Sequence, residues 1–126
     1  MNTKPNQIDF LIEKKDDGML KSGLGAIFKK YNVIEYKSNM DKLNERVYYR
    51  TLAYANLLAA YDRDVKSLDE ITLTFIRQAK PVKLMKQFKE WGFEITEYEP
   101  GIYHVRKAGH IDMQIVVTSR LGNPYV

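Results

Sequence analysis

A single mixed α/β or α+β domain, a mixed β-sheet flanked by helices, is the fold class this sequence predicts. Three observations carry that reading. The chain has 126 residues, which is one ordinary domain with no room for a second core. Hydrophobic residues make up 44% and charged residues 29%, a balance that supports a packed core rather than disorder. Segments in which apolar and polar residues alternate are interleaved with segments whose apolar residues recur every three or four positions. In chain order the elements read β β α β α β β β.

Residues 7–15 read QIDFLIEKK, where Ile8, Phe10 and Ile12 alternate with Asp9, Leu11 and Glu13, the period of a strand. Turn formers then gather around Gly18, Gly23 and Gly25, and SGLG reads as a flexible hairpin connection. A second strand follows over residues 31–37, because Val33, Ile34 and Tyr36 favour extended backbone. Together these predict a long antiparallel hairpin. Asp41 reads as the N-cap of a helix over residues 41–61, with Leu43, Val47, Thr51, Tyr54, Leu58 and Tyr61 on one face. ITLTFI, residues 71–76, is a strand. Pro81 opens a short helix at the position where its missing N–H costs nothing. Val82, Met85 and Phe88 mark the buried stripe of that helix and Gly92 its end. Strands over residues 93–98, 102–105 and 113–118 complete the set, with Glu99-Pro100-Gly101 as a turn.

Composition narrows the function classes. No apolar run approaches the roughly 18–20 residues that cross a bilayer, and the opening MNTKPNQ lacks the apolar core of a signal peptide. The absence of Cys excludes disulfides, a thiolate zinc site and a cysteine nucleophile, and it fits a cytoplasmic address. Having only His104 and His110 also argues against an all-histidine metal site. A net charge of +4 permits a polyanionic partner without demanding one. The chain enters its first strand almost at once and stops without a tail, which reads as a domain excised from, or trimmed out of, something longer.

One constellation carries chemistry. Paired residues of an antiparallel ladder have a constant index sum, and a turn centred near Ser22 sets that sum to 44, which places Asp9 opposite Glu35. Side chains alternate faces, so Glu35 and Lys37 share a face and Asp9 joins them. Two facing carboxylates cost up to roughly 1 kcal/mol without a counter-charge, which a divalent cation would remove. Glu35 also interrupts an otherwise apolar strand between Ile34 and Tyr36. The acid-x-Lys pattern recurs at Glu13-Lys14-Lys15 and Asp64-Val65-Lys66, so its spacing alone is not distinctive. A metal-dependent site and an ion cluster in which Lys37 satisfies Asp9 and Glu35 are both open at this point.

The stretch over residues 9–61 resembles the PD-(D/E)XK nuclease superfamily, with its restriction-endonuclease-like fold. The residues that carry the likeness are Asp9 in QIDFLIEKK, Glu35 and Lys37 in NVIEYKS, and the helix NERVYYRTLAYANLLAAY. More narrowly, IFKKYNVIEYKS with this Tyr-rich helix, RQAKPVKLMKQF and EPGIYHV is similar to a group of uncharacterised bacterial proteins placed in that superfamily. The resemblance implies a Mg2+- or Mn2+-dependent hydrolase acting on phosphodiester bonds of DNA. Asp9, Glu35 and the backbone carbonyl of Tyr36 would ligate the metal, and Lys37 would serve catalysis. Some exonuclease branches carry a Gln and a Tyr four residues apart on the following helix, where this chain has Arg50 and Tyr54. The N-terminal helix with an extra Glu, and a strand before the Asp strand, have no counterpart in the seven residues before Ile8. The alternative is therefore an inactive nuclease-fold module for nucleic-acid binding or protein interaction. Pairing into a homodimer is a further option that the resemblance leaves open.

Other features carry less. Lys80, Lys83, Lys86 and Lys89 recur every three residues. They read either as a phosphate-tracking stripe, with Lys83 and Lys86 as nucleic-acid contacts, or as the solvated face of a helix whose apolar side is buried. Trp91 reads as a packing residue, and His104 and His110 flank a Lys107-Ala108-Gly109 turn.

Overall fold

A computed structural model of the chain describes residues 9–15 and 23–122. Strands β1 (Phe10–Glu13) and β2 (Tyr31–Lys37) precede helix α1 (Glu45–Tyr61). Strand β3 (Ile71–Arg77), helix α2 (Val82–Glu90) and strands β4 (Glu94–Glu99), β5 (Ile102–Arg106) and β6 (Met113–Val117) follow. The six strands form one mixed sheet in the order β1-β2-β3-β6-β5-β4. Among the described residues no helix is long and apolar enough to cross a membrane.

β1 pairs antiparallel with β2, matching Phe10 to Ile34 and Leu11 to Val33, so the predicted index sum of 44 is the observed register. The turn proposed near Ser22 lies outside the described residues. β2 and β3 run parallel, because α1 carries the chain back along the sheet before β3 begins. β6 joins β3 in parallel, and β6, β5 and β4 are antiparallel neighbours.

Strand alternation divides the sheet into two faces. Val33, Leu73, Phe75, Val105, Met113 and Ile115 pack with Val47, Tyr48, Ala55, Leu84 and Phe88 of the two helices in one core. Glu35, Lys37 and Arg77 continue the rows of that helix-covered face. The opposite face buries a polar row of Asn32, Thr72, Thr74, His104 and Gln114. The Thr72 hydroxyl donates to Asn32 Oδ1 at 2.6 Å, and Gln114 Nε2 donates to Thr74 Oγ1 at 3.0 Å.

Five sequence expectations need correction, the last of them at Pro81. The segment beginning at Gly23 is not a free connection: Leu24–Ile27 forms a short 3-10 turn docked on that polar row. The Leu24 carbonyl accepts from Gln114 Nε2 at 2.6 Å, and Gly23 N–H donates to the Glu99 carboxylate at 3.0 Å. The Gln114 amide supplies the partner that SGLG lacks locally, which no local pattern encodes. The cap of α1 is Asn44, whose side chain accepts from Val47 N–H at 3.2 Å, rather than Asp41. Asp41 is held in a turn by Ser38, three residues earlier. Tyr61 is 81% exposed, while Tyr48 and Ala55 take the buried positions of α1. Val82 is 64% exposed because it opens α2, and Leu84 is buried in its place beside Met85 and Phe88.

Pro81 is the residue just before α2 rather than its first helical residue. The other end of α2 closes on Gly92, whose φ of 92° lets Phe93 N–H reach the Phe88 carbonyl at 2.9 Å. Trp91 packs as expected, its ring 5.9 Å from that of Tyr49 and 5.7 Å from that of Tyr48. His110 is absorbed in the same aromatic cluster, with Nε2 2.7 Å from the Tyr48 hydroxyl. His104 is buried under the Tyr98 ring, and burial lowers its pKa below the ordinary histidine value.

Candidate functional site

The site begins with the pairing of β1 and β2. Lys14 N–H donates to the Lys30 carbonyl, and Tyr36 N–H turns to the same edge, where it donates to Asp9 Oδ2 at 2.7 Å. The even-numbered residues of β2 therefore make the ladder bonds to β1. Continuing that register by one residue puts Asp9 opposite Glu35 as a pair without ladder bonds, the arrangement in which facing side chains come closest. Asp9 itself lies just before β1, in a bend.

The two carboxyl groups meet. Glu35 is 5% exposed, and its pKa is pushed up to about 7. Burial is the largest cause, the Asp9 charge is next, and a hydrogen bond with the Asp9 side chain adds to them. Lys37 and Arg50 pull the other way. Lys37 Nζ lies 4.0 Å from Glu35 Oε2, with its side chain four-fifths buried. Asp9, Glu35 and Lys37 thus converge at the open end of the hairpin, and the positive charge of Arg50, one turn into α1, bears on the same carboxylate.

The donor set suits a hard divalent ion. Glu35 cannot ionise comfortably beside Asp9 in this buried position unless positive charge lies between them. A strand residue sends its N–H and C=O to the same edge, so the Tyr36 carbonyl faces the Asp9 edge as well. Among the described residues no group of three or more Asp, Glu or His gathers. Two carboxylates and a carbonyl are what Mg2+ typically accepts from protein, with water completing its shell. The residues therefore fit Mg2+ or Mn2+.

The remaining sequence candidates separate. Tyr54 is half-buried against the core and lines a cavity of about 490 Å3 with Leu57 and Tyr61. Lys83 and Lys86 are exposed on α2, away from the hydrophobic stripe. Lys80 stacks its ammonium group 5.2 Å from the Tyr103 ring. Arg77 was missed by the sequence reading. It closes β3 directly beside Lys37 of β2 on the helix-covered face, and only the parallel register of those two strands makes it a neighbour. Its guanidinium Nη2 donates to the Asn39 carbonyl at 3.3 Å, while its Nε is buried without a partner.

No family model, no curated protein and no solved structure matches this chain.

Proposed function

We propose that this protein is a metal-dependent phosphodiesterase of the PD-(D/E)XK type acting on DNA. The observation that carries the reading is the meeting of Asp9 and Glu35 across two strands, with Lys37 beside them and Glu35 raised to about 7. A divalent ion at this pair would polarise a phosphoryl oxygen and acidify a bound water. Asp9, Glu35 and the Tyr36 carbonyl would hold that ion. Lys37, on the same face, neutralises negative charge that grows on the phosphoryl group and orients the attacking water. Arg50 adds positive charge from α1 and contacts a phosphate of the strand.

The test is cleavage of plasmid and single-stranded substrates with Mg2+ and Mn2+. Glu35→Ala and Lys37→Ala are each expected to lower the rate by about 100-fold or more, the usual effect of removing a group that stabilises transition-state charge. Cleavage that survives both substitutions removes this site. DNA binding that weakens steeply with salt, without product under either metal, assigns the chain instead to the non-cleaving module reading.

A further inference from the structure

We propose that a cavity beside the candidate site binds a phosphomonoester, the terminal phosphate of a nucleic-acid strand. The cavity has a volume of about 480 Å3 and lies between the starts of α1 and α2, above the end of β3. Such a volume falls within the roughly 300–1,000 Å3 of small-molecule sites and admits a nucleotide rather than a lone ion.

Its lining is electropositive. Among the described residues, Lys42, Arg77 and Lys83 line it against one carboxylate, Glu45. None of the three cations is in an ion pair among the described residues. Arg77 holds the Asn39 carbonyl through Nη2 at 3.3 Å, and its Nε is buried without a hydrogen-bond partner. The backbone adds to it. Pro81 offers no side-chain cap to α2, and among the described residues neither Lys83 N–H nor Leu84 N–H has an acceptor. Both residues line the cavity. Unpaired amides at a helix start favour an anion, here reinforced by three cations.

Position gives the cavity its meaning. Arg77 is the register partner of Lys37, so the cavity opens one strand away from the Asp9–Glu35 pair, at the carboxyl ends of the parallel strands β2 and β3. A strand whose end is held here presents a nearby internucleotide bond to that pair. The choice of a strand end as ligand rests on the nuclease reading; the phosphomonoester chemistry rests on the cavity alone.

The experiment measures binding in EDTA, so that cleavage plays no part. Short oligonucleotides carrying a 5′-phosphate, a 3′-phosphate or neither are compared by fluorescence anisotropy, and nucleoside monophosphate binding is followed by calorimetry. One phosphorylated end is expected to bind roughly tenfold tighter than the bare end, the effect of one charge-assisted hydrogen bond. Lys83→Ala and Lys42→Ala, both at exposed positions, should abolish that preference. Lys66→Ala, which removes a charge away from the cavity, should preserve it. A mononucleotide that binds as tightly as the phosphorylated oligonucleotide supports the cavity with a free nucleotide as its ligand. Equal affinity for phosphorylated and bare ends, with no mononucleotide binding, overturns the proposal, as does a preference that survives both lysine variants. Because no arm requires catalysis, an inert Asp9–Glu35 pair leaves this result standing, and an active pair does not rescue a failed one.

Discussion

Glu35 shows how one side chain links stability to function. Its folded pKa of about 7 lies above the ordinary 4.5, so the folded state binds more protons than the unfolded state between those values. Without a cation, stability is therefore expected to fall as pH rises from about 4.5 through 7, by on the order of 2–3 kcal/mol. Glu35→Gln, which keeps the shape and cannot ionise, should remove that slope. Urea titrations of both proteins across this range check it, and parallel slopes would refute it. Excess Mn2+ should raise the melting temperature more at pH 8 than at pH 5.5, since a ligand that binds only the folded state stabilises it. Asp9 and Lys37 are legible in the sequence as the acid and base of this cluster because strand alternation and a constant index sum are local rules. The depth of Glu35 is not, because α1 and the packed helix face create it.

Among the elements, α1 separates what pattern can read from what it cannot. The three- and four-residue spacing locates the helix, but Asp41 and Asn44 are equally good caps by residue type. Backbone geometry decides between them: Asn44 is extended and caps Val47, whereas Asp41 is tied to Ser38. Asn44→Ala should cost about 1 kcal/mol of unfolding free energy, and Asp41→Ala no more than about 0.5 kcal/mol. Chemical denaturation of the two variants measures the difference, and a larger loss at Asp41 would reverse the assignment. The docked turn Leu24–Ile27 makes the same point, since its partners Gln114 and Glu99 lie 90 and 76 residues away.

At the scale of the whole molecule, the described residues share one core between the helices and the sheet. Phe88 is fully buried at its centre, 5.1 Å from the Tyr48 ring of α1 and 5.2 Å from the Phe93 ring that leads into β4. Phe88→Ala should therefore cost about 3–5 kcal/mol, a large part of the roughly 5–15 kcal/mol that stabilises a domain of this size. A shift of less than about 1 kcal/mol in a urea melt would show that α2 is not part of that core. By itself the sequence determined the type and chain order of the elements, the hairpin register that brings Asp9 to Glu35, and the identity of the acids and lysine. Those follow from periodicity, turn chemistry and alternation, all of which act within a few residues. Only the tertiary structure decided that β2 lies beside β3 and β3 beside β6, and hence that Arg77 stands next to Lys37 over a cationic cavity. Parallel pairing across a helix is chosen by the total apolar area that the sheet and helices can bury together, a sum over the whole chain that no single segment contains.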